Sequence, residues 1–448
     1  MKCFKSFEDM LGYWAEKTPD APAFLTEKAG ERTAVSFSAF DRDVRARTGE
    51  LALSGKTSLG VLVNGTYPAI VEILAGVRAG LQVTLLNENA DADQVTDADV
   101  DLLWGDEDLV EELSPALTKG VKNGKGRILF FTSGTTSRRK AVVLTEQSLC
   151  ASAYNGGCLL PLEPDDILMS MLPLDHVFGF VCAFLWATSF GAAVALGRGA
   201  RHYFDDCAFY RPTVLSAVPM LLGFLMQRRL LNAEMRLVLI GAGDCPPDLP
   251  QGLKAAGKRV AFGYGLTETS SGVALSLGED PYAMTVCPED RVTLGEDGEI
   301  LIASPTCMMQ GYYKDPAATD AVLLGGVLHT GDLGAFDEQG LLHITGRKKE
   351  ILVFSDGTKI FLPEYERDLR NALEERDFAV VDKAGSPVLV IKGDESERVE
   401  LTIRLSALMK DLPIGRRLKD IYFVNEPLPR TATGKIKRWE LQQKVRSI

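Results

Sequence analysis

The run Thr132-Ser133-Gly134-Thr135-Thr136-Ser137-Arg138-Arg139-Lys140 gathers small hydroxyl residues around a glycine and ends in a lysine. Those residue types suit phosphate. Glycine lets successive backbone N–H groups turn inward, the hydroxyls add donors, and an ammonium supplies positive charge for phosphoryl oxygens. The G-x-x-x-x-G-K-[ST] pattern that opens a helix in Walker loops is not met. Instead, the apolar runs 127–131 and 141–144 flank the segment and read as short buried strands, so the spacing predicts a loop between two strands. A Ser/Thr/Gly cluster standing alone is also what an ordinary turn looks like.

Other chemically suggestive segments follow in a fixed order. Tyr264-Gly265-Leu266-Thr267-Glu268-Thr269 comes after a predicted strand at 259–262 and combines a ring that can stack on a base, a hydroxyl donor and a carboxylate able to hold Mg²⁺. Thr330-Gly331-Asp332 offers a carboxylate that can accept from both hydroxyls of a ribose. Gly346-Arg347-Lys348-Lys349-Glu350 is a charged, loop-like break before the apolar stretch 351–354. Pro429-Arg430-Thr431-Ala432-Thr433-Gly434-Lys435 is a Pro/Gly-containing loop that can project one long cation into a cleft, where it would stabilise developing negative charge. Because Lys437, Arg438, Lys444 and Arg446 follow closely, a solvated basic tail is the other reading of Lys435. His176 sits beside an apolar run, within Leu172-Pro173-Leu174-Asp175-His176-Val177-Phe178-Gly179.

With these motifs in this order, the chain resembles the superfamily of adenylate-forming enzymes that includes acyl-CoA synthetases, the adenylation domains of peptide synthetases and beetle luciferase. The resemblance runs from about residue 7 to 438 and is more generic near the N-terminus, at 18–23 and 75–80. It implies ATP, Mg²⁺ and CoA as ligands, and a two-step reaction. A carboxylate attacks the α-phosphorus of ATP to form an acyl-adenylate and pyrophosphate, and a thiol then displaces AMP to give a thioester. The first step needs no protein nucleophile, so positioning and charge stabilisation must carry it. By resemblance, Thr132, Ser133, Gly134, Thr135, Thr136 and Lys140 surround the β- and γ-phosphates. Tyr264 and Gly265 face adenine, Thr267 the α-phosphate, Glu268 the metal, and Asp332 and Arg347 the ribose and phosphate end. Lys435 acts in adenylation, and His176 approaches the substrate carboxylate. Gly241 lines the acyl pocket, Lys349 is the hinge, and Gly357 allows close approach of the pantetheine. Amino-acid-activating relatives carry aspartate where this chain has His176, so an α-amino acid is disfavoured.

Composition and charge agree. A formal net charge of −12 argues against a general nucleic-acid binder. The cysteines at 3, 150, 158, 182, 207, 245, 287 and 307 form no C-x-x-C pair, which favours reduced thiols and a cytoplasmic location. The first residues have no apolar core of the kind a signal peptide needs. Residues 177–196 carry no charge and are long enough to span a bilayer, yet Gly179, Thr188, Ser189 and Gly191 interrupt them. A buried helix running into a core strand is the preferred reading. Alternating helical and strand segments predict an α/β fold. Strands are expected at 59–63, 83–86 and 235–240, with a helix at 67–78. The expected layout is a large N-terminal domain (1–346) of layered α/β sheets with a small β-rich subdomain near 299–303 and 341–345, and a small mobile α+β C-terminal domain (347–448).

The departures from the family pattern are Ser137, Arg139 and Ala141 in the phosphate loop, Glu146 in place of a common histidine, and a proline shifted by one position in Leu362-Pro363. Arg139 could add charge toward phosphate or point to solvent. The reading is an ATP-dependent acid–thiol ligase acting on a small carboxylic acid, with an uncharged aliphatic or aryl acid favoured by the apolar and glycine-rich segments 170–180, 240–245 and 263–272. Alternatives are a stand-alone enzyme loading a carrier-protein phosphopantetheine and a catalytically impaired nucleotide-binding homologue.

Overall fold

The computed structural model describes the chain apart from residues 1, 29, 122, 123, 125, 133–138, 244, 247, 279, 354–358, 374, 375, 384, 411, 413–416, 431–435, 447 and 448. Its architecture is α/β, built on two large sheets. The first has six strands among the described residues. Leu102–Trp104, Ser58–Leu62, Gln82–Leu86 and Arg127–Phe131 run parallel, and Ala141–Thr145 and Gly311–Tyr312 complete the edge in antiparallel fashion. The helix Tyr67–Arg78 connects two of the parallel strands, starts with a proline in its first turn and is buried from Ala69 to Val77. Crossovers of this kind cover the sheet faces, so the strands read as continuous apolar runs.

Among the described residues the second sheet has 14 strands, and it changes character along its width. From Pro22–Lys28 through Ala193–Leu196, Ile167–Ser170, Val214–Ala217 and Leu237–Ile240 to Arg259–Leu266, neighbours are parallel. Beyond Arg259–Leu266 every pairing is antiparallel, through Ser271–Ser276, Met284–Val286, Leu342–Arg347, Val327–Phe336 and Glu299–Ala303. The β-rich part expected near 299–303 and 341–345 is thus hydrogen-bonded edge to edge with the parallel part. The strand Arg259–Leu266 is the seam, and ligand crevices of open α/β sheets form at such changes of direction.

The charge-free stretch after His176 lies between the two sheets. It begins as helix over Val177–Phe180, widens to a π-turn over Val181–Leu185, resumes as Trp186–Phe190 and stops at Gly191, whose φ of 74° is left-handed. Phe180 meets Phe130 of the six-stranded sheet at 5.7 Å between ring centroids, and the Cys182 carbonyl accepts from the Ser216 hydroxyl of the larger sheet at 2.7 Å. A helix packed on both sides must be apolar all round, which accounts for its membrane-like hydropathy. Among the described residues no helix is long and apolar enough to cross a membrane.

Residues after 350 form a two-stranded ladder, Ile351–Val353 with Lys359–Phe361, and a three-stranded sheet of Phe378–Lys383, Ser386–Lys392 and Ile421–Val424. The apolar clusters of this part draw only on residues 352–445, so it has its own core.

Candidate active site

The Tyr264 segment departs from the sequence expectation in one respect. The strand does not stop at 262 but continues to Leu266, so Tyr264 and Gly265 are strand residues, and a short 3₁₀ turn over Thr267–Thr269 carries Thr267 and Glu268. Pairing with Ser271–Ser276 slips between Tyr264 and Gly265, and Ser270 and Ser271 take positive φ of 54° and 112°. A Cβ on Gly265 would stand 1.7 Å from the Ser271 carbonyl oxygen, so only glycine closes this tight return. The bulge turns Glu268 away from the ladder within four residues of Tyr264.

Tyr264 reaches across the antiparallel part of the sheet. Its hydroxyl donates to Asp332 Oδ2 at 2.8 Å, although the two residues are 68 apart in sequence. Asp332 is 2% exposed and lies directly opposite Arg347 in the ladder, and Arg347 Nε stands 2.5 Å from Asp332 Oδ1. That approach is off the hydrogen-bonding direction, so Oδ1 is a buried oxygen with an ion pair but no hydrogen bond among the described residues. A carboxylate in that state retains capacity to accept from a ligand hydroxyl. The strand segment before Asp332 is held from behind by Glu299, whose Oε1 accepts the Gly331 N–H at 2.8 Å while Oε2 meets His329 Nδ1 at 3.2 Å and Lys348 Nζ at 2.7 Å.

The phosphate-loop motif does lie between two strands, Arg127–Phe131 and Ala141–Thr145. Its stem closes one pair further, with the Thr132 N–H donating to the Lys140 carbonyl at 2.8 Å. Ser133, Gly134, Thr135 and Thr136 fall outside the described residues, as do Gly357 and Lys435. Arg139, expected either to add charge toward phosphate or to point to solvent, is about half exposed and paired at the surface. Its Nη1 meets Gln94 Oε1 at 2.5 Å and Asp91 Oδ2 at 3.1 Å, which ties the loop to the capping box at the start of helix Ala92–Asp97. Glu146 likewise has a structural partner, accepting the Phe7 N–H at 2.8 Å.

One residue that sequence reasoning missed joins the two motifs. Tyr312 donates its hydroxyl to Glu268 Oε1 at 2.6 Å, and Lys140 Nζ stands 4.3 Å from the centre of the Tyr312 ring. Burial, together with the facing carboxylate, pushes both the Tyr312 and Tyr264 phenols up, so each stays a neutral donor. No motif marks Tyr312. The signal available was only its position in Gly311-Tyr312-Tyr313, and the pairing of Gly311–Tyr312 with Ala141–Thr145 supplies its meaning.

His176 precedes the first turn of the buried helix, a quarter exposed, with Nε2 3.9 Å from Asp175 Oδ2; Asp175 in turn accepts from Asn87 at 2.9 Å. Phe178 on the same helix presses its ring edge toward Gly241, where a Cβ would stand 2.8 Å from Cζ. Phe178, two residues after His176, and Gly241 therefore meet on the parallel side of the seam, whereas Tyr264, Asp332 and Arg347 are joined across its antiparallel side.

Glu268 fits a magnesium ion shared with a polyphosphate. Its Oε1 is engaged by Tyr312, no hydrogen bond among the described residues reaches Oε2, and Mg²⁺ in nucleotide sites takes one or two protein carboxylates and completes its shell with phosphate oxygens and water. Among the described residues no three acidic, histidine or cysteine side chains converge into a cage of their own.

Residues 98–313 match the family model of the AMP-binding enzymes. A 2-succinylbenzoate–CoA ligase from Bacillus cytotoxicus is 27% identical over 94% of this chain and 90% of its own length. An indoleacetate–CoA ligase from Aromatoleum aromaticum is 30% identical over 71% of this chain and 67% of its own. In three dimensions, O-succinylbenzoate CoA synthetase from Bacillus subtilis, solved with ATP and magnesium, superposes with a TM-score of 0.81 over 97% of this chain and 99% of that one, at 22% identity.

Proposed function

The chain belongs to the AMP-binding enzyme family and is an ATP-dependent acid–thiol ligase, and from that premise we propose how its residues divide the work. The observation that carries the proposal is the joining of distant motifs by side chains: Tyr264, Asp332 and Arg347 in one cluster, Glu268, Tyr312 and Lys140 in the next, with a single strand running from Tyr264 toward Glu268. In this reading the Tyr264 ring lies against adenine, and Asp332 accepts from the ribose hydroxyls while Arg347 contacts the ribose and phosphate end. Thr267 donates to the α-phosphate, and Lys140 with Thr132 and residues 133–136 neutralises the β- and γ-phosphates. Magnesium, held through Glu268, would supply charge neutralisation at the phosphates. His176 orients the carboxylate for in-line attack, so that the α-phosphorus–oxygen bond to pyrophosphate breaks as the acyl–oxygen bond to phosphorus forms. Lys435 stabilises the charge that develops there.

A second division concerns the domains, 1–346 and 347–448. Arg347 and Lys348 are ion-paired to Asp332 and Glu299 of the larger sheet and to Asp297 in a turn between its strands, while the apolar clusters beyond residue 350 are self-contained. This supports a pivot at Lys349, about which Lys435 would leave after adenylation and residues 355–359, with Gly357, would line the path of CoA. The Phe178–Gly241 neighbourhood supports an uncharged aliphatic or aryl acid as substrate. The curated relatives are named for aryl acids and for CoA. We place the enzyme in the cytoplasm on its free cysteines, five of them buried. ATP/pyrophosphate exchange across a panel of fatty, aryl and amino acids, read with CoA-thioester formation, tests the whole scheme. Exchange with a CoA thioester on an uncharged acid is the expected result; exchange without a thioester would instead identify a carrier protein as acceptor, and no exchange across the panel would overturn the scheme.

A further inference from the structure

Residues 307–313 act as a strap across the two motifs that do the phosphate chemistry. The Cys307 carbonyl accepts from the Ser270 hydroxyl at 2.7 Å, and the Met309 N–H donates to the Glu268 carbonyl at 2.8 Å. The Gln310 and Tyr313 N–H groups donate to the carbonyls of Val143 and Ala141 at 2.9 and 2.8 Å. One side of the strap is therefore sewn to the turn carrying Glu268, and the other to the strand leaving the phosphate loop. At its centre Tyr312 closes the join with its side chain, its hydroxyl on Glu268 and its ring beneath Lys140. The Tyr312 N–H is itself anchored, donating to Thr319 Oγ1 at 2.9 Å, so the backbone that carries the ring is held as well.

We propose that Tyr312 is a positioning residue for the metal–triphosphate complex: its hydroxyl fixes the Glu268 carboxylate with Oε2 left for the metal, and its ring holds the Lys140 ammonium in place for the phosphates. The physical case has two parts. A hydrogen bond to a carboxylate is charge-assisted and directional, so it selects one orientation of Glu268 before any ligand arrives. An ammonium over a tyrosine face is attracted to the ring without being neutralised, as a carboxylate partner would neutralise it, so Lys140 keeps its full charge for phosphate. Both groups are thus pre-organised by one side chain, and the ordering cost is met by the strap rather than at the moment of binding. The inference rests on the reading of Glu268 as the metal ligand.

Equilibrium binding of ATP, measured without turnover by titration calorimetry in excess EDTA and over a magnesium series, tests it. Tyr312→Phe keeps the ring and removes the hydroxyl. It is expected to raise the magnesium concentration at half effect by roughly three- to tenfold, the range of a typical net hydrogen bond, with metal-free ATP affinity unchanged. Tyr312→Leu removes both features and should weaken metal-free ATP binding as well, by roughly threefold. In a Glu268→Gln background, Tyr312→Phe should add nothing to the magnesium dependence. An unchanged magnesium response in Tyr312→Phe, or equal losses with and without metal, overturns the proposal, since equal losses are what simple loosening of the strap would produce. If the parent protein binds ATP with no magnesium dependence at all, the assignment of Glu268 fails instead, and the two failures are distinguishable in the same titration.

Discussion

The two ends of the candidate site are held by different means. At the Asp332 end, the functional side chains are neighbours in a β-ladder: Asp332 and Arg347 are register partners, and Tyr264 reaches Asp332 from within the same sheet. At the Glu268 end, they sit on a 3₁₀ turn and a loop stem, and only the strap with Tyr312 makes them neighbours. Ladder hydrogen bonds fix spacing through the backbone, which tolerates loss of a single side chain. A side-chain bridge concentrates the same task in one residue. In the proposed reading, the end that grips the unreacting nucleoside is built rigidly, and the end where phosphate charge moves is built from pieces joined by side chains. In the same proposed reading the closing contact differs again, since Lys435 comes from another part of the chain.

The sharpest way to break this comparison is to remove that third contributor. Lys435→Ala is expected to lower acyl-adenylate formation by about a hundredfold or more while thiolysis of supplied acyl-adenylate stays near the parent rate. Single-turnover measurement of each half-reaction decides, and equal losses in both would remove Lys435 from its separate role. Next comes the ladder end. Asp332→Asn keeps the shape and removes the charge facing Arg347, so ATP affinity should fall by roughly ten- to a hundredfold whether or not magnesium is present. A loss that depends on magnesium would erase the distinction between the two ends.

A smaller effect is expected at the loop stem. Arg139 and Asp91 are both about half exposed, and exposed ion pairs contribute only about 0.2–1 kcal/mol. Arg139→Ala should therefore reduce ATP binding no more than roughly fivefold. A loss as large as that of Asp332→Asn would mean that Arg139 leaves Asp91 to bind phosphate directly. The least effect on activity belongs to Asp290, outside both ends. Burial pushes its carboxyl up to about 6, against hydrogen bonds from Ser304 and Asn155. A carboxyl raised above its unfolded value of 3.8 binds more protons in the folded state, so its contribution to stability is present at low pH and lost as pH rises through about 6. Asp290→Asn should flatten the Tm–pH profile between pH 4 and about 6.5 and leave ATP binding unchanged. An unaltered profile would mean that Asp290 is not the group responsible.

Much of this was legible in the chain. The helix over Tyr67–Arg78 and the strands Arg127–Phe131 and Glu299–Ala303 lie where apolar runs put them, the short runs becoming strands and the long one a helix. The charge-free stretch after His176 is a buried helix followed by the strand Ala193–Leu196, as its interrupting glycines and hydroxyls suggested. The proposed motif chemistry starts from residue type alone, since Glu268, Asp332 and Arg347 are types that can meet a nucleotide. The extension of the Tyr264 strand to Leu266 was hidden, because the bulge at Gly265 disturbs alternation where the strand would otherwise be read. The same holds for Arg139. An arginine in a loop carries no mark of its partner, and Asp91 and Gln94 lie 48 and 45 residues away.

By itself the sequence determined which residues can meet phosphate, ribose and metal, and which segments become strands or helices, since side-chain chemistry and hydrophobic period are local properties of the chain. The tertiary structure decided which of those residues meet. Asp332 faces Arg347 because a sheet register sets them opposite; Tyr312 joins Glu268 to Lys140 because a short edge strand docks beside the exit of the phosphate loop. Register and docking depend on the burial of whole faces across scores of residues, and no single motif contains that sum.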